Sequence, residues 1–512
     1  MEALLDSWGP TLAVFVPLVG AALMMVIPKE DEVLHKGIAL VSSLAVFASI
    51  VAIAAYFDYD AAGKLQYELD KPWIDAISSR YHIGIDGISL PLLLLTGLIV
   101  PLCVIYSWNH FPEPHNPKAF LILVLVLETG MVGTFVAQDL ILFFVFFELV
   151  LLPMYFMIGV WGGEERLYAA IKFFLFTAFG SAFMLVSFLA LFFLADPHTF
   201  QMTDLPAASS GIAHGTQLLI FGGMFLGFAI KVPMFPFHTW LPDAHTQAPT
   251  VGSVILAAVL LKLGTYGFVR VAIPILPEAA ISWAPAIGVL AVIGIIYGAL
   301  GCLAQTDMKR LIAFSSIAHM GFTMLGIATL TQFGLNAAVM GMVAHGLITG
   351  MLFFVAGSVK ERFHTLEIKR LGGLLLQAPR LGWILAFCSM ASLGLPGLAG
   401  FWGEFPAILA AYSPAEGLSE PLFRTFMVIA AVGTVLAAGY LLWLLQRTAF
   451  GTPKEEWEGH EFHDVEPPEW LAWTPLLVLI AVIGIYPQFV FRMTDAGVTE
   501  ALRGVAELAA GG

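Results

Sequence analysis

The sequence predicts an all-α polytopic membrane protein of about 14 transmembrane helices, with two inverted five-helix repeats and broken helices 7 and 12. Three observations predict it. Of 512 residues, 59% are hydrophobic and only 12% charged, with a mean hydropathy of +0.88, which is too apolar for a water-soluble globule of this length. Apolar segments of about 20 residues, each enough to cross the hydrocarbon core, recur along the chain. Two of them, five apart in order, are interrupted by proline or glycine, as expected of structural repeats whose halves each carry a discontinuous helix.

The segments lie near 10–27, 37–57, 87–108, 119–136, 139–161, 168–194, 215–232, 250–272, 280–304, 309–330, 335–358, 382–412, 425–446 and 470–489. The start, MEALLDSWGP, has no basic region ahead of its apolar run, so that run reads as a retained first helix and not a cleaved signal. Residues 1–117 form an N-terminal unit of three helices, 118–272 the first repeat, 273–447 the second, and 448–512 a loop, a last helix and a short amphipathic tail. Each repeat holds an odd number of helices, so the second is inverted relative to the first. The longest polar loops are 58–86, expected to fold over the outer face, and 451–469, expected on the cytoplasmic side. Thirteen lysines and arginines fall in loops and helix ends after odd-numbered helices, against seven on the opposite side. The richer side should be cytoplasmic, which puts both termini outside.

The seventh segment organises the rest. It reads FAIKVPMFPFHTWLPDAH, with Lys231 followed by Pro233 and Pro236. Proline removes a backbone donor and clashes one turn back, so the helix should break there. A broken helix survives in a bilayer only where protein or water satisfies the freed groups. A lysine at the centre of a spanning helix costs about 2.5–3.5 kcal/mol on insertion scales, so Lys231 calls for a partner or a role. In the twelfth segment GLPGLAGFWG makes a similar break, with Glu404 just beyond it.

Six intramembrane ionisable residues follow from this reading: Glu148 in the fifth helix, Lys231, Lys262 in the eighth, His319 in the tenth, His345 in the eleventh and Glu404. They run acid, bases, acid, the order a proton relay needs. Burial raises a carboxyl pKa and lowers an amine's, and an opposite charge nearby reverses both, so a paired acid and base can switch protonation as their separation changes. The repeats place them in register: 173 positions separate Lys231 from Glu404 and 171 separate Glu148 from His319. A fainter echo, LYAAI at 167–171 and LNAAV at 335–339, has an offset of 168. The alternative reading makes Lys231 a structural anchor, Glu148 its static counter-ion and the histidines packed residues bonding carbonyls. Glu128 and Lys172 are weaker candidates, Lys172 by snorkelling to the interface. Asp307, Lys309, Arg310 and the segment 360–370 read as cytoplasmic helix ends and contact surface.

Other chemistries find no support. Cys103, Cys302 and Cys388 lie far apart in apolar segments, so no disulfide, zinc or iron-sulfur site is expected. His460 and His463 sit in an acidic loop of the solvated kind. A net charge of −14 argues against nucleic acid, and no glycine-rich phosphate loop opens a helix.

The stretches KVPMFPFHTWLPDAHTQAP, AQTDMKRLIAFSSIAHMGF, VAHGLITGMLFF and LGLPGLAGFWGEF closely resemble the antiporter-like subunits of respiratory complex I, NADH:quinone oxidoreductase. The resemblance runs over nearly the whole chain. It implies fourteen core helices with two inverted repeats, and a proton path similar to the six residues above. Among the related L, M and N types, the L and N types carry lysine in the broken twelfth helix and the M type glutamate, so Glu404 points to M. So do FFELVLLPMYF and a chain that stops soon after helix fourteen. The family implies a subunit with no cofactor of its own, with NADH, FMN, iron-sulfur clusters and quinone in partner subunits. The partners it implies are other membrane-arm subunits, especially the L and N types, together with lipid, in a bacterial inner membrane. Glu148 and Lys231 then form a modulating pair, Lys262 with His319 or His345 the central relay, and Glu404 an exit-side or neighbour-facing carboxylate. The competing assignments are a subunit of a multi-subunit Na⁺/H⁺ antiporter, which Glu404 disfavours, and a hydrogenase- or ferredoxin-linked relative of complex I.

Overall fold

The chain is described by a computed structural model covering residues 2–511. Twelve helices among the described residues are long and apolar enough to cross a membrane. In chain order they are α1 (Glu2–Val26), α2 (Glu32–Tyr56), α3 (Ser89–Tyr106), α4 (Pro117–Val136), α5 (Leu140–Trp161), α6 (Arg166–Leu194), α8 (Thr250–Ile275), α9 (Pro277–Leu303), α10 (Met308–Ala328), α11 (Gln332–Phe363), α13 (Glu420–Thr448) and α14 (Pro467–Ile485). The two interrupted segments of the sequence reading fall outside that count. They are α7a (His214–Lys231) with α7b (Trp240–Gln247), and α12a (Pro379–Ser392) with α12b (Ala399–Ala410).

Both breaks fall where the sequence places them. Helix α7a ends at Lys231, ahead of Pro233 and Pro236, and the carbonyl of Ile230 that the break frees accepts from the Trp240 indole at 2.9 Å. Helix α12a ends at Ser392, and the chain turns through Gly394 and Gly397 at φ of 81° and 95°, a conformation glycine adopts without strain. Helix α8 also departs from regularity: π-helical turns at Leu256–Leu260 and Phe268–Ala272 bracket Lys262, the first with no proline near it and the second just ahead of Pro274. Such turns shift the hydrogen-bond ladder by one residue and loosen carbonyls for other donors.

Burial separates centre from rim. Helices α8, α10 and α11 are enclosed by protein along nearly their whole length, whereas α1, α2, α6, α13 and α14 leave apolar faces uncovered. The residues Lys262, His319 and His345 therefore lie on the three most enclosed helices.

One element departs from an all-helical chain. Loop 58–86 contains a two-stranded antiparallel hairpin, β1 (Gln66–Ile74) and β2 (Ser79–Ile85). It is clipped to the bundle by Asp139, whose carboxylate accepts from Ser79 Oγ at 3.0 Å, Arg80 N at 2.9 Å and Gln201 Nε2 at 2.8 Å while also capping the first turn of α5 at Ile141 and Leu142. On the same face Arg270, at the end of α8, pairs with the buried Asp86 ahead of α3. The tail forms α15 (Gln488–Ala501) and α16 (Arg503–Gly511). The three cysteines are free and buried.

Candidate functional site

In the first half, Glu148 lies on α5 and Lys231 at the end of α7a, with α6 between their helices. The ammonium of Lys231 is buried, stands 4.6 Å from the centre of the Phe147 ring and has no hydrogen-bond partner. Glu148 is turned to α6, where Ser181 donates its hydroxyl to the carboxylate. The two expected partners are thus neighbours through electrostatics but make no direct contact, and the aromatic face takes the place of the counter-ion.

The centre is closer-knit. Lys262 Nζ donates to the carbonyl of Ala257 at 2.6 Å, a group five residues back that the π-turn makes available, and lies 2.6 Å from His345 Nδ1 on α11. Of the two histidines left open for this lysine, His345 is the one within hydrogen-bond reach. Its ring centre is 5.9 Å from that of His319 on α10.

In the second half the acid and base meet. His319 Nδ1 lies 2.5 Å from Glu404 Oε1, and His319 Nε2 faces Ser392 Oγ at 3.0 Å and Tyr440 OH at 3.2 Å. Glu404 Oε2, His345 Nε2 and Thr349 Oγ1 are buried and unpaired within the protein, and their residues all line one cavity with His319 and Ser392. The cavity has a volume of about 20 Å³. That suffices for about one water, and three converging polar atoms are the usual number that hold a buried one. The arrangement can pass a proton from Lys262 to His345 directly, and between His345 and the His319/Glu404 pair across one water.

One site residue has no counterpart in the sequence reading, and others take settings it does not foresee. His245 on α7b is fully buried, stacks on Phe353 at 4.5 Å, interacts electrostatically with Lys262 and His345, and has no hydrogen bond on either ring nitrogen. It stands in the same motif as Lys231, so an ionisable residue beyond the break was the available signal. Lys309 departs from the expected surface position: it is 5% exposed and its ammonium donates to the carbonyl of Ala248, just after α7b. Arg362, in the segment expected as contact surface, is likewise drawn inward, to the fully buried Glu469 through two bonds of 3.0 and 2.7 Å. Glu128 is buried with neither oxygen hydrogen-bonded, and Lys172 pairs with Asp243 at 2.7 Å. Among the described residues no cluster of three or more histidine, cysteine or acidic side chains is placed to hold a metal ion.

Residues 137–436 match the family described as NADH:quinone oxidoreductase/Mrp antiporter, TM, and residues 12–134 match NADH-ubiquinone oxidoreductase chain 4, amino terminus. The chain belongs to this NADH:quinone oxidoreductase/Mrp antiporter family. Within it, the chain is 40% identical to NADH-quinone oxidoreductase subunit M of Rhodobacter capsulatus, over 94% of this chain and 93% of that one. It is 39% identical to NAD(P)H-quinone oxidoreductase chain 4 2 of a Picosynechococcus strain, over 97% and 94%. A chain in the structure of respiratory complex I from Thermus thermophilus with bound NADH superposes with a TM-score of 0.86 at 29% identity, covering 97% of this chain and 99% of that one. The M-type expectation drawn from Glu404 agrees with these relatives. Likeness to them over nearly the full length places the chain on the quinone oxidoreductase side of a family that also includes Mrp antiporters.

Proposed function

We propose that this chain translocates protons in the membrane arm of an NADH:quinone oxidoreductase, through the line Glu148, Lys231, Lys262, His345, His319 and Glu404. The observation that carries it is the pair of short contacts at its centre, Lys262 to His345 at 2.6 Å and His319 to Glu404 at 2.5 Å, joined by a cavity lined with unpaired polar atoms. NADH, FMN, iron-sulfur clusters and quinone belong to partner subunits, so electron transfer happens elsewhere. It acts on this chain by changing charge at its flanks, and a flank charge shifts the inner equilibria only so far as it interacts differently with their two states.

Glu148 is the element open to such a signal. It is only partly buried, on the rim side of α5, and a neighbouring membrane-arm subunit of the L or N type is the partner we assign to it. Its separation from Lys231 sets the charge balance felt by Lys262: a carboxylate drawn to Lys231 neutralises it, while one held away leaves a cation that repels the proton on Lys262 toward His345. Glu404 receives the proton through His319. The hairpin face is assigned to the outer side, with both termini, on the lysine and arginine count.

The test is proton pumping by the purified complex in liposomes. Lys231→Ala and Glu148→Ala should each reduce NADH-driven proton translocation and coupled quinone reduction while the complex still assembles. Normal pumping in both variants would remove these residues from the path.

A further inference from the structure

The hydroxyl that holds Glu148 has a repeat-related partner. Ser181 lies on α6, fourteen residues after Leu167, and the LYAAI/LNAAV offset carries it to Thr349 on α11. The packing repeats as well. Gly180 meets Gly227, so that α6 and α7a approach closely one turn before Lys231, and in the second half Ile348 meets Gly400 one turn before Glu404. Each half therefore presents a hydroxyl on its third helix beside the acid and base carried by its second and fourth.

The two hydroxyls are found in opposite settings. Ser181 donates to the Glu148 carboxylate, and that acid makes no direct contact with Lys231. Thr349 Oγ1 is buried and unpaired, lines the cavity that Glu404 Oε2 faces, and the acid there is bonded to its base, His319. A carboxylate that accepts a hydroxyl bond keeps its charge satisfied away from the base, so the hydroxyl competes with the base for the same acid.

We propose that Ser181 and Thr349 are paired positioning residues, repeat-related hydroxyl latches that hold Glu148 and Glu404 out of contact with Lys231 and His319, the first engaged and the second released in this structure. The proposal rests on the relay reading above and adds what stabilises the open state of each pair. No bond is made or broken beyond hydrogen bonds: opening moves a carboxylate from the base to a hydroxyl, and closing reverses it.

The test uses the intact purified complex in liposomes, with coupled quinone reduction and the infrared carboxylate band of Glu148, assigned by difference against Glu148→Gln. Removing a hydrogen bond to a charged group should shift the open-to-closed ratio by about tenfold. Ser181→Ala should therefore move the Glu148 band and lower coupled turnover several-fold, and Ser181→Thr should restore both. Thr349→Val, which keeps shape and removes the hydroxyl, should also lower turnover, and Thr349→Ser should restore it. If Ser181→Ala prevents assembly, Ser181→Cys serves as the weak-donor variant with the same expectation. An unmoved band with normal turnover, or a Ser181→Thr variant that fails to rescue, would overturn the latch while Glu148→Gln still loses activity. Normal turnover in Glu148→Gln would overturn the relay reading and the latch together.

Discussion

His319 Nδ1 and Glu404 Oε1 lie 2.5 Å apart at the break of helix twelve, the inverted counterpart of Glu148 and Lys231 at the break of helix seven. The repeat has exchanged the chemistry: where the first half puts an acid on its second helix and a base on the broken one, the second half puts a base on α10 and an acid on α12b. One pair is open and the other closed. A subunit whose two halves hold opposite settings can pass a proton inward while one pair opens and outward while the other does.

Glu404→Gln keeps the shape and removes the charge. Proton translocation should fall by about 10²-fold, the lower range for loss of a positioned acid or base, with assembly unaffected. Glu404→Asp, one methylene shorter, should fall less. Translocation rates in liposomes, measured beside the amount of assembled complex, check this.

Lys262 and His345 should behave as one unit, because each is the other's direct partner at 2.6 Å. Lys262→Met and His345→Ala should each abolish most coupled turnover, and the double variant should be no worse than the more severe single one, the signature of residues acting in series. A double variant that loses the product of the single effects would separate their roles.

Asp86 and Arg270 form a buried ion pair on the hairpin face, so breaking it from one side leaves an uncompensated charge. Asp86→Asn or Arg270→Met should each destabilise the subunit by about 3–5 kcal/mol, and the double variant should regain part of that loss. Thermal dissociation of the purified complex reads both outcomes.

Asp139 joins the β1–β2 hairpin to the start of α5. Asp139→Ala removes a helix cap and three bonds to the hairpin and to Gln201, and should cost about 1–3 kcal/mol. Limited proteolysis should then cut within residues 66–85 before any transmembrane helix yields; a hairpin that stays as resistant as in the native chain would contradict the role.

Much of this was legible from the residues. Proline at 233 and 236 and glycine at 394 and 397 mark both breaks, because their backbone restrictions are local and independent of tertiary context. The six candidate residues stand out because ionisable groups in apolar helices are few. What the sequence concealed were relationships in space. An intramembrane acid and base suggest a Glu148–Lys231 pair, yet Ser181, an ordinary helical serine, holds the acid. The π-turns that free the Ala257 carbonyl for Lys262 leave no mark in composition, since α8 contains no proline until Pro274. Lys309 and Arg362 resemble surface charges in sequence and are buried because a carbonyl and a carboxylate await them across the fold. The hairpin at 66–85 is hidden in a polar loop whose strands are irregular in register.

The most direct measurement is the number of protons translocated per electron by the purified complex in liposomes carrying Lys262→Met, compared with the unaltered chain. A proton path through Lys262 requires a fall in that ratio, or the joint loss of translocation and quinone reduction, in a fully assembled complex. An assembled complex that reduces quinone and pumps at the native ratio without this amine would contradict a proton path through the centre of the chain.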